Sequence, residues 1–109
     1  MPNSEDENPW DKLKVPQNPG ADNPRLQKTF QELWRENAHI PGGTAAAIIY
    51  EVTTGGLVGG KSHKQKGQDR LRELQKILQK ENLNQDDTKK LIEAMEDLKY
   101  ALTFVEGNT

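Results

Sequence analysis

The stretch "TAAAIIYEVTTGGLVGG", residues 44–60, decides the fold. Its alanines favour a helix, while Ile48, Ile49, Tyr50 and Val52 favour a strand. Gly55 and Gly56 tip the reading, because they supply backbone positions with positive φ, and Leu57 with Val58 then makes a short returning strand. The stretch therefore predicts a β-hairpin over residues 45–59.

Upstream, Asn23 followed by Pro24 is a helix opening, since Asn caps free amides and Pro fits the first turn, where its missing N–H costs nothing. Leu26, Phe30, Leu33 and Trp34 then give one apolar face, so a helix is expected over 24–37. "HIPGG", residues 39–43, ends it, because Pro41 lacks a donor and two glycines follow.

Downstream of the hairpin, Gly67, Leu71, Leu74 and Leu78 form one stripe with Ile77 beside it, which predicts a helix over 63–81. "NLNQDD", residues 82–87, is a turn in which Asn84 caps and Asp86 and Asp87 meet the positive end of the next helix dipole. Leu91, Met95, Leu98 and Leu102 carry that helix over 85–104, and the short link makes the two helices an antiparallel hairpin. The expected fold is a small, predominantly α single domain of α+β type: an N-terminal helix, a β-hairpin and a C-terminal antiparallel helical hairpin.

With 109 residues and 32 % hydrophobic content, only one such core is available. Residues 1–23 contain four of the six prolines and no sustained period, and read as a flexible leader ahead of a domain over 24–109. Trp10, Leu13 and Val15 either dock on the domain surface or stand as isolated apolar residues in that leader. The chain has no cysteine, which removes disulfides, zinc-thiolate sites and cysteine nucleophiles, and its two histidines are too far apart for metal-ligand spacing. No metal or cofactor is expected. No apolar run approaches the ~18 residues that span a bilayer, and "MPNSEDENPW" lacks the basic-then-apolar order of a signal peptide.

The net charge of −2 argues against a general nucleic-acid binder, yet it hides a segregation. Residues 61–80 hold seven cations and two anions, whereas residues 81–109 hold three cations and seven anions. The basic block contains "GGKSHKQKGQDR", residues 59–70. There Lys66 and Arg70 are helix neighbours, with His63 one turn before Lys66. An imidazole, an ammonium and a guanidinium thus line one edge of a helix start, whose free amides and dipole also attract phosphate. The plain alternative is a solvated helix start that happens to contain a histidine.

The reaction that suits such an edge is RNA cleavage by internal attack of the 2′-hydroxyl, which needs a base, an acid and cations but no metal. His63 is the preferred proton carrier, because an imidazole titrates near neutrality. Lys66 and Arg70 would hold phosphate, with Lys61 and Lys64 beside them. The second proton carrier stays open among His39, Thr44, Tyr50 and Glu51, each of which has a bland reading as a loop, turn, core or strand-face residue.

"IPGGTAAAIIYEVTTGGLVGGKSHKQKGQDRLRELQKIL" followed by "LNQDDTKKLIEAMEDLKYAL" resembles the C-terminal toxin domain of bacterial polymorphic toxins, in particular the type 28 toxin family at the ends of contact-dependent growth-inhibition and related secreted effectors. The resemblance covers residues 40–102 and rests on "PGGTA", the "YE…TG" turn, the histidine before "KGQDR" and the leucine-spaced helix pair. It implies a ribonuclease that acts on tRNA or another structured RNA in the cytoplasm of a target cell. It also implies delivery as part of a larger secreted effector and neutralisation by a cognate immunity protein. It places His63, Lys66, Arg70, Thr44 and Glu51 at matching positions, and departs at Ile49, where such relatives carry a basic residue.

Two other classes compete. Regular apolar spacing from Leu71 to Leu102 also suits a non-enzymatic helical adaptor or antitoxin that binds a protein. A DNA-binding helical module fits less well, because the acidic last helix opposes approach to the backbone.

Overall fold

The computed structural model describes residues 9–35, 41–56 and 62–107. Among them the chain is all helical, with a short 3₁₀ turn at Pro9–Lys12 and four α-helices: α1 (Pro24–Leu33), α2 (Gly43–Thr54), α3 (Lys64–Lys80) and α4 (Gln85–Gly107). The expected α+β fold is therefore corrected, because the first strand of the predicted hairpin is helix α2. Leu57 and Val58, the expected returning strand, lie outside the described residues.

Burial explains why the helix prevails. Thr44 through Ile49 are all buried, so α2 is apolar around most of its circumference and sits in the middle of the domain, packed chiefly on α4. A helix that is apolar on all sides shows no stripe, and its sequence cannot be told from a buried strand by period. The alanines keep neighbouring helices close, and the β-branched residues lower helix propensity by only about 0.5 kcal/mol each. Gly55 does adopt positive φ, at 76°, but as the left-handed cap of α2, with its N–H donating to the Glu51 carbonyl at 2.9 Å. The same glycine chemistry serves a helix stop and a hairpin turn alike.

α1 opens as the sequence predicts: Asn23 Oδ1 accepts the Leu26 N–H at 3.0 Å and Pro24 occupies the first turn. Its buried face is Leu26, Thr29, Phe30 and Leu33. The turn into α2 is tight. Gly43, at φ 66°, brings the chain so near α1 that a Cβ there would lie 2.3 Å from the Leu33 carbonyl oxygen. Gly43→Ala is expected to lower stability by about 2–4 kcal/mol, combining the left-handed penalty with a clash against backbone that cannot rotate away. A urea melt of the variant would show it as a drop in midpoint with unchanged slope.

α3 and α4 pack together across the link at 81–84, with Asn84 Oδ1 capping through the Asp87 N–H at 2.7 Å. On α3 the buried positions are Gly67, Leu74 and Ile77, whereas Leu78, read as core, is 39 % exposed. Gly67 is where α3 meets α2, since a Cβ there would lie 2.3 Å from Ile48 Cδ1.

Residues 1–8 of the expected leader lie outside the described residues, but residues 9–23 form a strap folded against the helices. Leu13 and Val15 are buried, and Trp10 packs edge-on against Tyr50 with ring centres 5.4 Å apart. Two buried carboxylates of α4 hold the strap by its backbone. Asp97 accepts the N–H groups of Lys14 and Val15 at 2.8 and 2.9 Å, and Asp87 accepts those of Asp22 and Asn23 at 3.1 and 2.9 Å. The strap thus runs antiparallel to α4 between two anchors about 15 Å apart along the helix.

Candidate functional site

The helical form of α2 determines what faces His63. Glu51 lies in the last turn of α2, and His63 is the N-cap residue of α3. One carboxylate binds both parts of the histidine: Glu51 Oε1 accepts the His63 backbone N–H at 2.9 Å, and Oε2 lies 2.7 Å from Nδ1. The carboxylate thereby satisfies a free amide at the start of α3 and meets the positive end of its dipole.

Because an ionised carboxylate only accepts, the Nδ1 position carries the proton of this pair, which leaves the lone pair of a neutral ring on Nε2. Nε2 makes no hydrogen bond among the described residues, and the His63 side chain keeps 22 % exposure against 9 % for Glu51. A largely covered carboxylate orienting a partly exposed imidazole is an arrangement able to take a proton from, or give one to, a bound group.

Along α3 from this pair, Lys66 and Arg70 follow at one and two turns on the same edge, about 4.5 and 10.5 Å further along the axis. Lys66 is half-buried and makes no hydrogen bond or ion pair among the described residues. Burial first, and then the neighbouring charges of Arg35 and Arg70, push its ammonium below the ordinary lysine value, with Glu32 opposing. Arg70 Nε stands 3.0 Å from Glu32 Oε2 of α1, yet it is buried without a hydrogen bond, so the contact is an ion pair whose N–H is poorly aimed. Beyond it the seam between α1 and α3 is closed by Arg25, 2.7 Å from Glu73 and 3.5 Å from Glu81.

The other expected site residues fall elsewhere. Thr44 is buried in the first turn of α2, at the far end from Glu51, where its hydroxyl donates to the Leu33 carbonyl at 3.3 Å; it serves the α1–α2 turn. Tyr50 packs on Trp10. Lys64 is exposed on the first turn of α3. His39 and Lys61 lie outside the described residues. Ile49, the departure from the toxin pattern, is fully buried, and no cation occupies its place.

Glu32 and Arg35 were not legible as site residues. They sit on α1 and just past its end, and no spacing in the sequence announces a pairing between helices 38 positions apart. Asp97 and its strap contacts were equally hidden, whereas Asp87 reads only as a helix-start carboxylate.

Among the described residues no group of three or more histidine, cysteine, aspartate or glutamate side chains is placed to hold a metal, and no helix is long and apolar enough to cross a membrane. A surface groove of about 470 Å³ runs over the outer face of α4, lined by Leu83, Thr88, Ile92 and Glu93 among others, and contains none of the candidate residues. Compared with protein families, curated proteins and solved structures, the chain matches none.

Proposed function

We propose that the protein is a toxin ribonuclease that cleaves RNA without a metal, with His63 as the proton-transferring residue and Glu51 as the residue that positions it. The observation that carries this reading is the 2.7 Å contact between Glu51 Oε2 and His63 Nδ1, which frees Nε2 for the substrate. In the reaction, Nε2 takes the proton of a ribose 2′-hydroxyl and the 2′-oxygen attacks the adjacent phosphorus. The bond to the 5′-oxygen then breaks as that oxygen takes up a proton, leaving a 2′,3′-cyclic phosphate and a free 5′-hydroxyl. The charge that builds on the phosphoryl oxygens is met by cations of α3, Lys66 and Arg70, because Ile49 brings none. The toxin role, the choice of tRNA or another structured RNA, and neutralisation by an immunity protein rest on the resemblance quoted above.

The test is direct. Purified protein is expected to degrade RNA in excess chelator and to leave 2′,3′-cyclic phosphate ends; intact RNA under these conditions would overturn the reading. Glu51→Gln supplies a sharper check. Its amide keeps an acceptor for the His63 backbone N–H but presents a donor to Nδ1, which favours the tautomer with the proton on Nε2 and removes the base. We expect kcat to fall by about 10²-fold or more with KM little changed. A merely structural Glu51 would instead change the melting temperature and leave kcat per folded molecule intact.

A second reading is favoured by one observation, the groove on α4 with Ile92 42 % exposed in it. Such a face suits a non-enzymatic adaptor that binds a protein. Expression in cells separates the two, since the ribonuclease arrests growth and the adaptor does not.

A further inference from the structure

At its His63 end the seam between α1 and α3 gathers three cations, Lys66, Arg70 and Arg35, around one carboxylate, Glu32, among the described residues. Arg35 and Arg70 both stand near enough to act on Lys66, and among the described residues Glu32 is the single anion that does so. Half-buried Lys66 has no anionic partner within ion-pair distance among the described residues, and the buried Arg70 Nε–H is left without a hydrogen bond even though Glu32 lies 3.0 Å away. Three cations that share one carboxylate repel one another, and an anion from outside relieves that repulsion.

We infer that Lys66, Arg70 and Arg35 form a phosphate subsite for the RNA backbone, and that Glu32 is a built-in competitor for it, holding Arg70 until a phosphate displaces its carboxylate. The identity of the ligand as RNA rests on the ribonuclease reading; the subsite itself rests on the charge imbalance. It begins one helical turn from His63 at Lys66 and reaches a second turn to Arg70, about 4.5 and 10.5 Å along α3, so it spans the phosphate being cleaved and the one beside it. Its far end, where Arg35 joins Arg70, positions the strand, and the whole subsite makes the grip on substrate dependent on salt.

Two substitutions pull in opposite directions. Glu32→Gln removes the internal competitor and is expected to tighten binding by roughly two- to fivefold, the scale of one half-exposed charge contact. Arg35→Ala, at an exposed position past the end of α1, is expected to weaken binding by a similar factor and to reduce the slope of log K against log salt by about 0.7, one phosphate contact to a single strand. The probe is a single-stranded oligoribonucleotide with every 2′-hydroxyl methylated, which cannot undergo internal attack, followed by fluorescence anisotropy over a salt series. Unchanged or weakened binding by folded Glu32→Gln, or unchanged affinity and slope in Arg35→Ala, would overturn the subsite. No binding of the probe by the unaltered protein would overturn it too. Should Glu32→Gln fail to fold, Arg35→Ala decides alone. If the two variants behave as expected while natural RNA is left uncut, the subsite stands and the ribonuclease reading falls. If RNA is cut but both variants bind like the parent, the reverse holds.

Discussion

Asp97→Ala is expected to destabilise the protein by about 3–5 kcal/mol, a large part of the ~5–15 kcal/mol that a small domain has in total. The Asp97 carboxylate is 5 % exposed and accepts two backbone N–H groups, from Lys14 and Val15. Hydrogen bonds to a charged acceptor contribute about 1.5–3 kcal/mol each, and alanine offers neither donor a substitute. Recovering the desolvation of the carboxylate offsets part of that loss. Releasing the strap also uncovers Leu13, which belongs to the main core, so the variant should lose cooperativity at its N-terminal end first. Hydrogen exchange would show this as deprotection of the Lys14 and Val15 amides, and a denaturant melt would give the total. A change below ~1 kcal/mol would mean that the strap is held by its apolar contacts instead. Asp97→Asn, which keeps one acceptor, should fall between the two.

The pH dependence follows from the same site. Burial raises the Asp97 pKa above its ordinary value of 3.8 and outweighs the two backbone donors and Lys14, which act downward. The folded protein therefore holds a proton on Asp97 at pH values where the unfolded chain has released it. Stability contributed by this group falls as pH rises from 3.8 through the raised folded value, and the unfavourable contribution is fully present above that window. Subtracting the stability curve of Asp97→Ala from that of the parent should therefore give a difference that grows toward acid. A difference that shrinks toward acid would show the backbone donors to dominate.

His63→Ala carries the largest expected effect on activity. Removing a proton-transfer group lowers such reactions by about 10²–10⁴-fold, and here the loss should appear in kcat with binding of the methylated oligonucleotide preserved, because Lys66, Arg70 and Arg35 remain. The fold should survive as well. Glu51 Oε1 keeps the backbone N–H of residue 63, so the start of α3 stays capped when the ring is gone. Added imidazole, which can occupy the space of the missing ring, should restore part of the activity. Full activity in the alanine variant would remove His63 from the mechanism and leave the Glu51 contact as a helix cap alone.

The site was legible only along one helix. His63, Lys66 and Arg70 share an edge of α3 because three- and four-residue spacings make helix neighbours, and that is readable from any amphipathic helix. Glu51 stood among four candidates for the residue facing His63, and nothing in its spacing singled it out. What brings it there is that residues 43–54 are helical: a helix of that length carries Glu51 about 10 Å from Thr44, whereas a strand would have carried it more than twice as far. The same helix sets Thr44 at the opposite end of α2 from Glu51, where its hydroxyl donates to the Leu33 carbonyl.

By itself the amino-acid sequence determined the elements whose signals are local and one-sided: the Asn23–Pro24 opening of α1, the hairpin of α3 and α4 with its Asn84 cap, and the register of cations on α3. Tertiary structure alone decided α2, the strap and the carboxylates that meet them. An all-round apolar segment has no preferred period until neighbours surround it. Backbone amides at residues 14, 15, 22 and 23 likewise have no preferred acceptor until α4 brings Asp97 and Asp87 beneath them.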